Sequence, residues 1–245
     1  MNTSEEIKLK SIESALQKIR QFCQPTPLSK SSRHSKKYSA NVFFKREDLQ
    51  EVRSYKIRGA YNKMSSLNPA EKRKGVICAS AGNHSQGVAY SCKALGITGT
   101  IFMPITTPSQ KVEQVKMFGE GFVEVVLYGD TFDDAKSKAI NESIDNGKVF
   151  IHPFDDPKII EGQATVGLEL MEQTNFPIDY IFVPIGGGGL VAGLITVLQH
   201  LSPNTVVVGV EPEGAASMSL AIDNDRVSSL SEIDTFVDGA SVKQV

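Results

Sequence analysis

Gly75-Val76-Ile77-Cys78-Ala79-Ser80-Ala81-Gly82-Asn83-His84 is a short apolar run that breaks into a turn of small and polar residues. Such a run, bounded by turn residues, reads as a strand that ends in a tight turn. Residues 85–95 continue it as a helix rich in small side chains. The same order then repeats, with strands over Gly99–Met103, Val123–Leu127 and 149–151 and helices over 108–117 and Phe132–Asn146. Strands separated by helices of this length predict parallel β-α-β units, and hence an α/β fold with mainly parallel sheets flanked by helices.

The pattern extends both ways. Downstream, the spacing predicts a helix over 157–174, a strand over 179–184, a helix over 190–200 and a strand over 205–210. A further helix with loops follows from Ser217. Upstream, Ile7, Leu9, Ile12, Ala15, Leu16 and Ile19 recur as on one face of a helix, placed over 4–22. Pro25-Thr26-Pro27-Leu28 ends it in an extended passage. A strand over 41–45 and a charged turn over 46–50 lead to a helix opened by Arg53 and Ser54, with Ser54 as its N-cap.

The 245 residues are 40% apolar and 22% charged, with a net charge of −2, which suits a water-facing globular chain with a large core. A charge so close to zero gives no electrostatic pull toward nucleic acid or a membrane surface. No apolar run approaches the length of a membrane span, and the N-terminus has no signal or transit character. Cys23, Cys78 and Cys92 are widely spaced and odd in number, so reduced thiols in the cytoplasm are expected instead of a disulfide framework.

Three stretches carry chemistry. In Ser54-Tyr55-Lys56-Ile57-Arg58-Gly59-Ala60 a lysine stands between an aromatic and an aliphatic residue in the first turn of a helix. Burial and the helix dipole both disfavour its charge, which suits a Schiff-base lysine. Taken alone it reads first as a helix lysine whose stem lies along the core and whose amine reaches water. Gly186-Gly187-Gly188-Gly189 joins a strand to a helix, where bare backbone N–H groups can approach an anion. Gly187, Gly189 and Ala192 also fit a dinucleotide fingerprint, with Glu211 at the end of the next strand, so a nicotinamide or flavin remains a rival on this segment. The turn Ser80-Ala81-Gly82-Asn83-His84 offers short hydrogen-bonding groups where open α/β sheets bind ligands. It reads either as a carboxylate site or as an ordinary capped turn, and His84 as a base or a capping residue. There is no G-x-S-x-G elbow and no H-E-x-x-H, and the four histidines are scattered.

Taken in order, these three motifs resemble the fold-type II pyridoxal-phosphate enzymes (tryptophan synthase β-like), and within them the threonine dehydratase (threonine deaminase) family. Pro25-Thr26-Pro27-Leu28, Lys45-Arg46-Glu47-Asp48-Leu49 and His152-Pro153-Phe154-Asp155-Asp156 carry the same resemblance, which covers nearly the whole chain. It implies pyridoxal 5'-phosphate as cofactor, Lys56 as its Schiff-base residue and α-proton base, and Asn83 beside its ring hydroxyl. Gly186, Gly187, Gly188, Gly189 and Leu190 would cup the phosphate. Ser80, Ala81, Gly82, Asn83 and His84 would receive the substrate carboxylate, with Ser80 as a second catalytic group. The implied reaction deaminates L-threonine, and also L-serine, in amino-acid metabolism such as isoleucine biosynthesis.

The alternatives within the same residues are a serine racemase or serine dehydratase, and an inactive fragment that keeps the fold. The implied architecture has two lobes, a large cofactor domain from 1–70 and 151–245 and a small substrate domain from 71–150. The ending at Asp238-Gly239-Ala240-Ser241-Val242-Lys243-Gln244-Val245 reads as mid-domain, so the expectation is a C-terminally incomplete catalytic unit lacking the polar partner of the pyridine nitrogen. A homo-oligomer, dimer or tetramer, is expected of the full-length protein. No metal is expected: Glu211 and the Ala215 carbonyl match a cation site of some relatives, but Ser217 stands where a carboxylate is wanted.

Overall fold

In the computed structural model, which describes residues 7–245, the chain begins with α1 (Leu9–Ile19), β1 (Leu28–Lys30), α2 (Ser32–Tyr38) and β2 (Phe43–Lys45). A short 3-10 turn at Glu47–Leu49 precedes α3 (Lys56–Ser65) and α4 (Pro69–Lys74). Then come β3 (Val76–Ala79), α5 (Asn83–Leu95), β4 (Gly99–Met103), α6 (Ser109–Gly119), β5 (Val123–Leu127), α7 (Phe132–Asn146) and β6 (Val149–Phe150). The chain continues as α8 (Pro157–Gln173), β7 (Tyr180–Pro184), α9 (Gly189–Leu201), β8 (Val206–Val210) and α10 (Ser217–Asp223).

β3, β4, β5 and β6 form one parallel sheet in the order β5-β4-β3-β6. Every residue of β3 and β4 is buried, the polar Thr100 included, as befits central strands covered on both faces. β7 and β8 pair in parallel, with Tyr180 opposite Val206 and Pro184 opposite Val210. β1 and β2 pair antiparallel, Leu28 opposite Lys45. This is the expected α/β architecture with mainly parallel strands.

α3 lies between α5 and α8, and glycines set both spacings. A Cβ on Gly87 of α5 would come 3.1 Å from the backbone of Lys56 and Ile57. A Cβ on Gly162 of α8 would come 2.6 Å from the Arg58 carbonyl oxygen and the Gly59 Cα, so larger side chains would force both helices apart. Ile57, Ala60 and Met64 of α3 are buried in the main apolar cluster with Val76, Cys78 and Val88. Burying an Ile or Met side chain stabilises by about 2 kcal/mol each. A second cluster, built on Val166, Leu170, Val183, Val191 and Leu194, joins α8 and α9 to β7 and reaches Tyr55. Lys56 therefore starts α3 where two cores meet.

Two local expectations need correction. Ser54 is not the cap of α3: Tyr55 holds that place, no side chain caps it, and the Ser54 hydroxyl is buried without a hydrogen-bond partner. Packing against α5 and α8 sets where the helix begins. The turn after β3 is also shorter than expected, because α5 already starts at Asn83. α1 starts at Leu9; its expected beginning at Ser4 lies outside the described residues. β1, α2 and α4 lie where no regular element was expected.

Candidate active site

Lys56 is the first residue of α3, and its amine donates to the Pro153 carbonyl at 2.6 Å. Its Nζ stands 5.6 Å from the centre of the Tyr55 ring. Burial draws its pKa down from 10.5 to about 8. The residue keeps partial access to solvent. An amine of that basicity is a usable nucleophile and base near neutral pH.

Two residues further along α3, a buried ionic network anchors the helix that Lys56 begins. Arg58 is fully buried and engages its whole guanidinium fork. It donates to Glu47 from Nε and Nη2, both at 2.8 Å. It reaches Glu169 from Nη1 at 2.6 Å and Nη2 at 2.9 Å, and Thr165 at 3.2 Å. Lys45 closes the network by donating to Glu169 at 2.6 Å and to the Thr26 carbonyl at 2.6 Å. Two cations thus face two carboxylates. Burial pushes the Glu169 carboxyl up, but Arg58 and Lys45 outweigh it and hold it below the usual range. Burial also pulls Lys45 below an ordinary lysine. Nothing in the sequence pattern marked Arg58 as buried, since its partners are 11 and 111 positions away.

The glycine loop faces the segment that receives Lys56. A Cβ on Gly187 would overlap the Phe154 ring, and one on Gly189 would lie 2.8 Å from the Phe154 carbonyl oxygen. Gly188 takes φ +86°, a left-handed conformation that glycine adopts freely. It is the N-cap of α9 and brings no capping side chain. Among the described residues no protein acceptor takes the N–H groups of Gly187, Gly188, Gly189 or Leu190. A strand-to-helix turn with bare donors at a helix N-terminus is an anion cradle.

The Asn83 turn meets the same place from the other side. Ser80 Oγ accepts from Gly82 N at 3.1 Å, and Ser85 Oγ donates to the Gly82 carbonyl at 2.6 Å. Gly82 caps α5 without a side-chain bond, and Asn83 is exposed at its first position. Asn83 Nδ2 lies 3.9 Å from where a Cβ on Gly239 would stand, and a Cβ on Gly186 would meet Ala240 Cα at 3.3 Å. Residues 239–240 therefore bridge Asn83 to the glycine loop, as residues 153–154 bridge Lys56 to it.

His84 has a different task from carboxylate reception by its ring. It is buried, and its Nε2 donates to the Ile151 carbonyl at 2.9 Å. Burial, aided by the charge of Lys56, takes its pKa down to about 3, so the ring is neutral. Its backbone N–H, in the first turn of α5, is what this position offers an anion. His152 is neutral for similar reasons, burial first and then the charge of Lys136, with a pKa of about 4. Its Nδ1 accepts from Asp155 N at 2.7 Å.

Glu211 also has protein partners. Its carboxylate accepts from Met218 N at 2.7 Å and from Ser219 N and Oγ at 2.9 Å, securing the start of α10. Among the described residues no group of three or more His, Cys, Asp or Glu gathers as a metal site would require. A largely apolar cavity of about 650 Å³ lies behind the glycine loop, lined by Phe154, Ile195, Val207 and Ile222 among others. Among the described residues no helix is long and apolar enough to cross a membrane.

Residues 19–245 match the model of the family described as pyridoxal-phosphate dependent enzyme. The biosynthetic L-threonine dehydratase of Halalkalibacterium halodurans is 51% identical over 240 residues, 98% of this chain and 58% of that protein. That of Bacillus subtilis is 48% identical over 98% of this chain and 57% of the relative. The chain thus spans just under three-fifths of the length of these relatives. Among solved structures, the processed form of threonine deaminase isoform 2 from Solanum lycopersicum superposes with a TM-score of 0.89 at 43% identity, over 97% of this chain and 70% of that one. Maize serine racemase gives 0.90 at 32% identity, over 95% of this chain and 70% of that one.

Proposed function

Since the chain belongs to the family of pyridoxal-phosphate dependent enzymes, we propose that it carries the lysine, phosphate and carboxylate sites of a lyase that deaminates L-threonine, and also L-serine. The products are 2-oxobutanoate or pyruvate, with ammonia. The observation that carries this reading is the meeting of a weakly basic amine with an uncapped glycine loop through one short segment, residues 153–154.

The residues present fit the cofactor. Bare N–H groups at the start of α9 suit its phosphate, and a Cβ on Gly187 or Gly189 would collide with Phe154. Gly186, Gly187, Gly188, Gly189 and Leu190 would hold the phosphate, Asn83 the ring hydroxyl, and Lys56 the carbonyl carbon. When bound, pyridoxal phosphate supplies an electron sink for the carbanion left by α-proton removal. Lys56 Nζ, with a pKa of about 8, takes that proton. Residues 80–84 receive the substrate carboxylate on the backbone donors at the start of α5, which Gly82 leaves without a side-chain cap. Ser80 orients the turn by accepting from Gly82 N and stands as the second catalytic group.

The close identity to biosynthetic threonine dehydratases favours elimination over racemisation and supports a role in the supply of isoleucine. Residues 71–150, whose four strands pair only among themselves, form the small substrate domain, and the rest forms the cofactor domain. Three buried free thiols suit a reducing cytoplasm. The protein acts on a small amino acid, not on nucleic acid or a membrane, and works as a homo-oligomer. Incubating the purified protein with pyridoxal phosphate and each amino acid separates the readings. The proposal expects 2-oxobutanoate from L-threonine and pyruvate from L-serine; D-serine without pyruvate would overturn it in favour of a racemase.

A further inference from the structure

Among the described residues, Phe154 belongs to none of the four buried apolar clusters. It is partly exposed, and yet its ring lies where a side chain on Gly187 would have to be. Its own carbonyl oxygen lies against Gly189, 2.8 Å from the Cβ position there. The carbonyl just before it, of Pro153, takes the Lys56 amine at 2.6 Å. We propose that Phe154 is a positioning residue of the site, setting the separation of Lys56 from the glycine loop and walling the lysine off from the cavity behind that loop. This inference rests on the reading of Lys56 and the glycine loop given above.

The segment that carries Phe154 is pinned on both sides, so its ring can act as a fixed wall. Ahead of it, His84 Nε2 donates to the Ile151 carbonyl at 2.9 Å. Behind it, Asp156 caps α8 by accepting from Lys158 N at 2.8 Å and binds Lys63 at 2.6 Å. Between them, His152 Nδ1 accepts from Phe154 N at 3.3 Å, and the two rings meet edge-on with centres 4.7 Å apart. Phe154 itself lines the cavity of about 650 Å³ that opens behind Gly187, Gly188 and Gly189.

The electrostatics give the wall a measurable consequence. Tyr55 faces Lys56 from the turn before α3, His84 from α5 and His152 from the pinned segment. The phenol is raised by burial to about 12 and both imidazoles are held neutral, so none of the three faces the amine as an anion. Burial is the cause of the low basicity of Lys56, and water admitted past a shortened residue 154 would reverse it.

The test is a ¹³C-NMR titration of reductively dimethylated lysines in the chain without added pyridoxal phosphate, with Lys56 assigned by the signal lost in Lys56→Ala. Lys56 should titrate at about 8 in the parent chain. In Phe154→Ala it should move up by about one unit or more as the amine is hydrated. Phe154→Leu should fall between the two, and Ile195→Ala, in the same cavity, should leave the titration in place. Pyridoxal phosphate affinity should fall about tenfold in Phe154→Ala through the loosened glycine loop. An unchanged Lys56 titration in a cooperatively folding Phe154→Ala chain overturns the proposal. If that variant does not fold, Phe154→Leu is read in its place with the same two outcomes. Failure of pyridoxal phosphate to attach at Lys56 would instead contradict the proposed function and leave the titration result standing.

Discussion

Two residues along α3 from Lys56, every arm of a buried guanidinium has its acceptor; across from Lys56 a run of backbone donors has none. Arg58 places all five of its hydrogen bonds on Glu47, Glu169 and Thr165. The N-terminus of α9, by contrast, has a glycine cap that contributes no side chain. α8, whose first turn follows the pinned segment, shows the opposite arrangement: Asp156 caps it and Pro157 opens it. Native proteins satisfy nearly all of their polar groups, so donors left bare at a partly buried glycine loop point to a ligand. The ionic network keeps its polar groups for itself and holds shape. The rim reserves its own for something that binds.

That contrast breaks first at the ionic network. Arg58→Ala takes from Glu47 its only cation among the described residues and leaves the almost fully buried Glu169 with Lys45 alone, and should lower stability by about 3–5 kcal/mol in chemical denaturation. A loss under about 1 kcal/mol would mean the network is solvated and the contrast unreal.

Next in size is the acid response of His84. Its folded pKa of about 3 lies below the ordinary 6.5, so the unfolded chain binds the extra proton between them. The stability this residue contributes is complete above about pH 6.5 and is lost as pH falls toward 3. By pH 4.5 the loss should reach about 2–3 kcal/mol, and His152 adds in the same direction. In His84→Gln, whose amide can still donate to the Ile151 carbonyl, denaturation midpoints at pH 7 and pH 4.5 should lie closer together. An equally steep decline in that variant would place the acid sensitivity elsewhere.

The smallest effect belongs to the rim and should appear in binding. Gly188→Ala puts a Cβ on a left-handed residue, a strain of about 1–2 kcal/mol that the loop relieves by changing its path. Titration with pyridoxal phosphate should show roughly a tenfold weaker complex, since about 1.4 kcal/mol is one decade. Unaltered affinity would remove the loop from the phosphate site.

Much of this is legible in the order of residues alone. The strands over Val76–Ala79 and Gly99–Met103 and the helices between them announce a parallel sheet, because strands joined through helices of that length pair by crossover and not as hairpins. The glycine loop declares itself by chemistry that is local in sequence, whereas Lys56 stands out from other helix lysines only in company with that loop and the Asn83 turn. The elements that escaped are those whose cause is remote. α2 buries no residue and so shows no apolar period. α3 starts at Lys56 instead of being capped by Ser54, because Gly87 and Gly162 bring two other helices against it. Arg58 resembles any solvated helix arginine until Glu169, 111 positions on, is folded against it. Phe154 looks like one more core aromatic, and its use depends on a glycine 33 positions away.

Network and rim both bear on the amine of Lys56, and the central claim rests there. Mixing the protein with pyridoxal phosphate, reducing with borohydride and mapping the peptides tests it most directly. The expected result is one dominant pyridoxyl adduct, on Lys56, that excess inorganic phosphate suppresses and that Lys56→Ala abolishes. Adducts spread over surface lysines with Lys56 unmodified would contradict it.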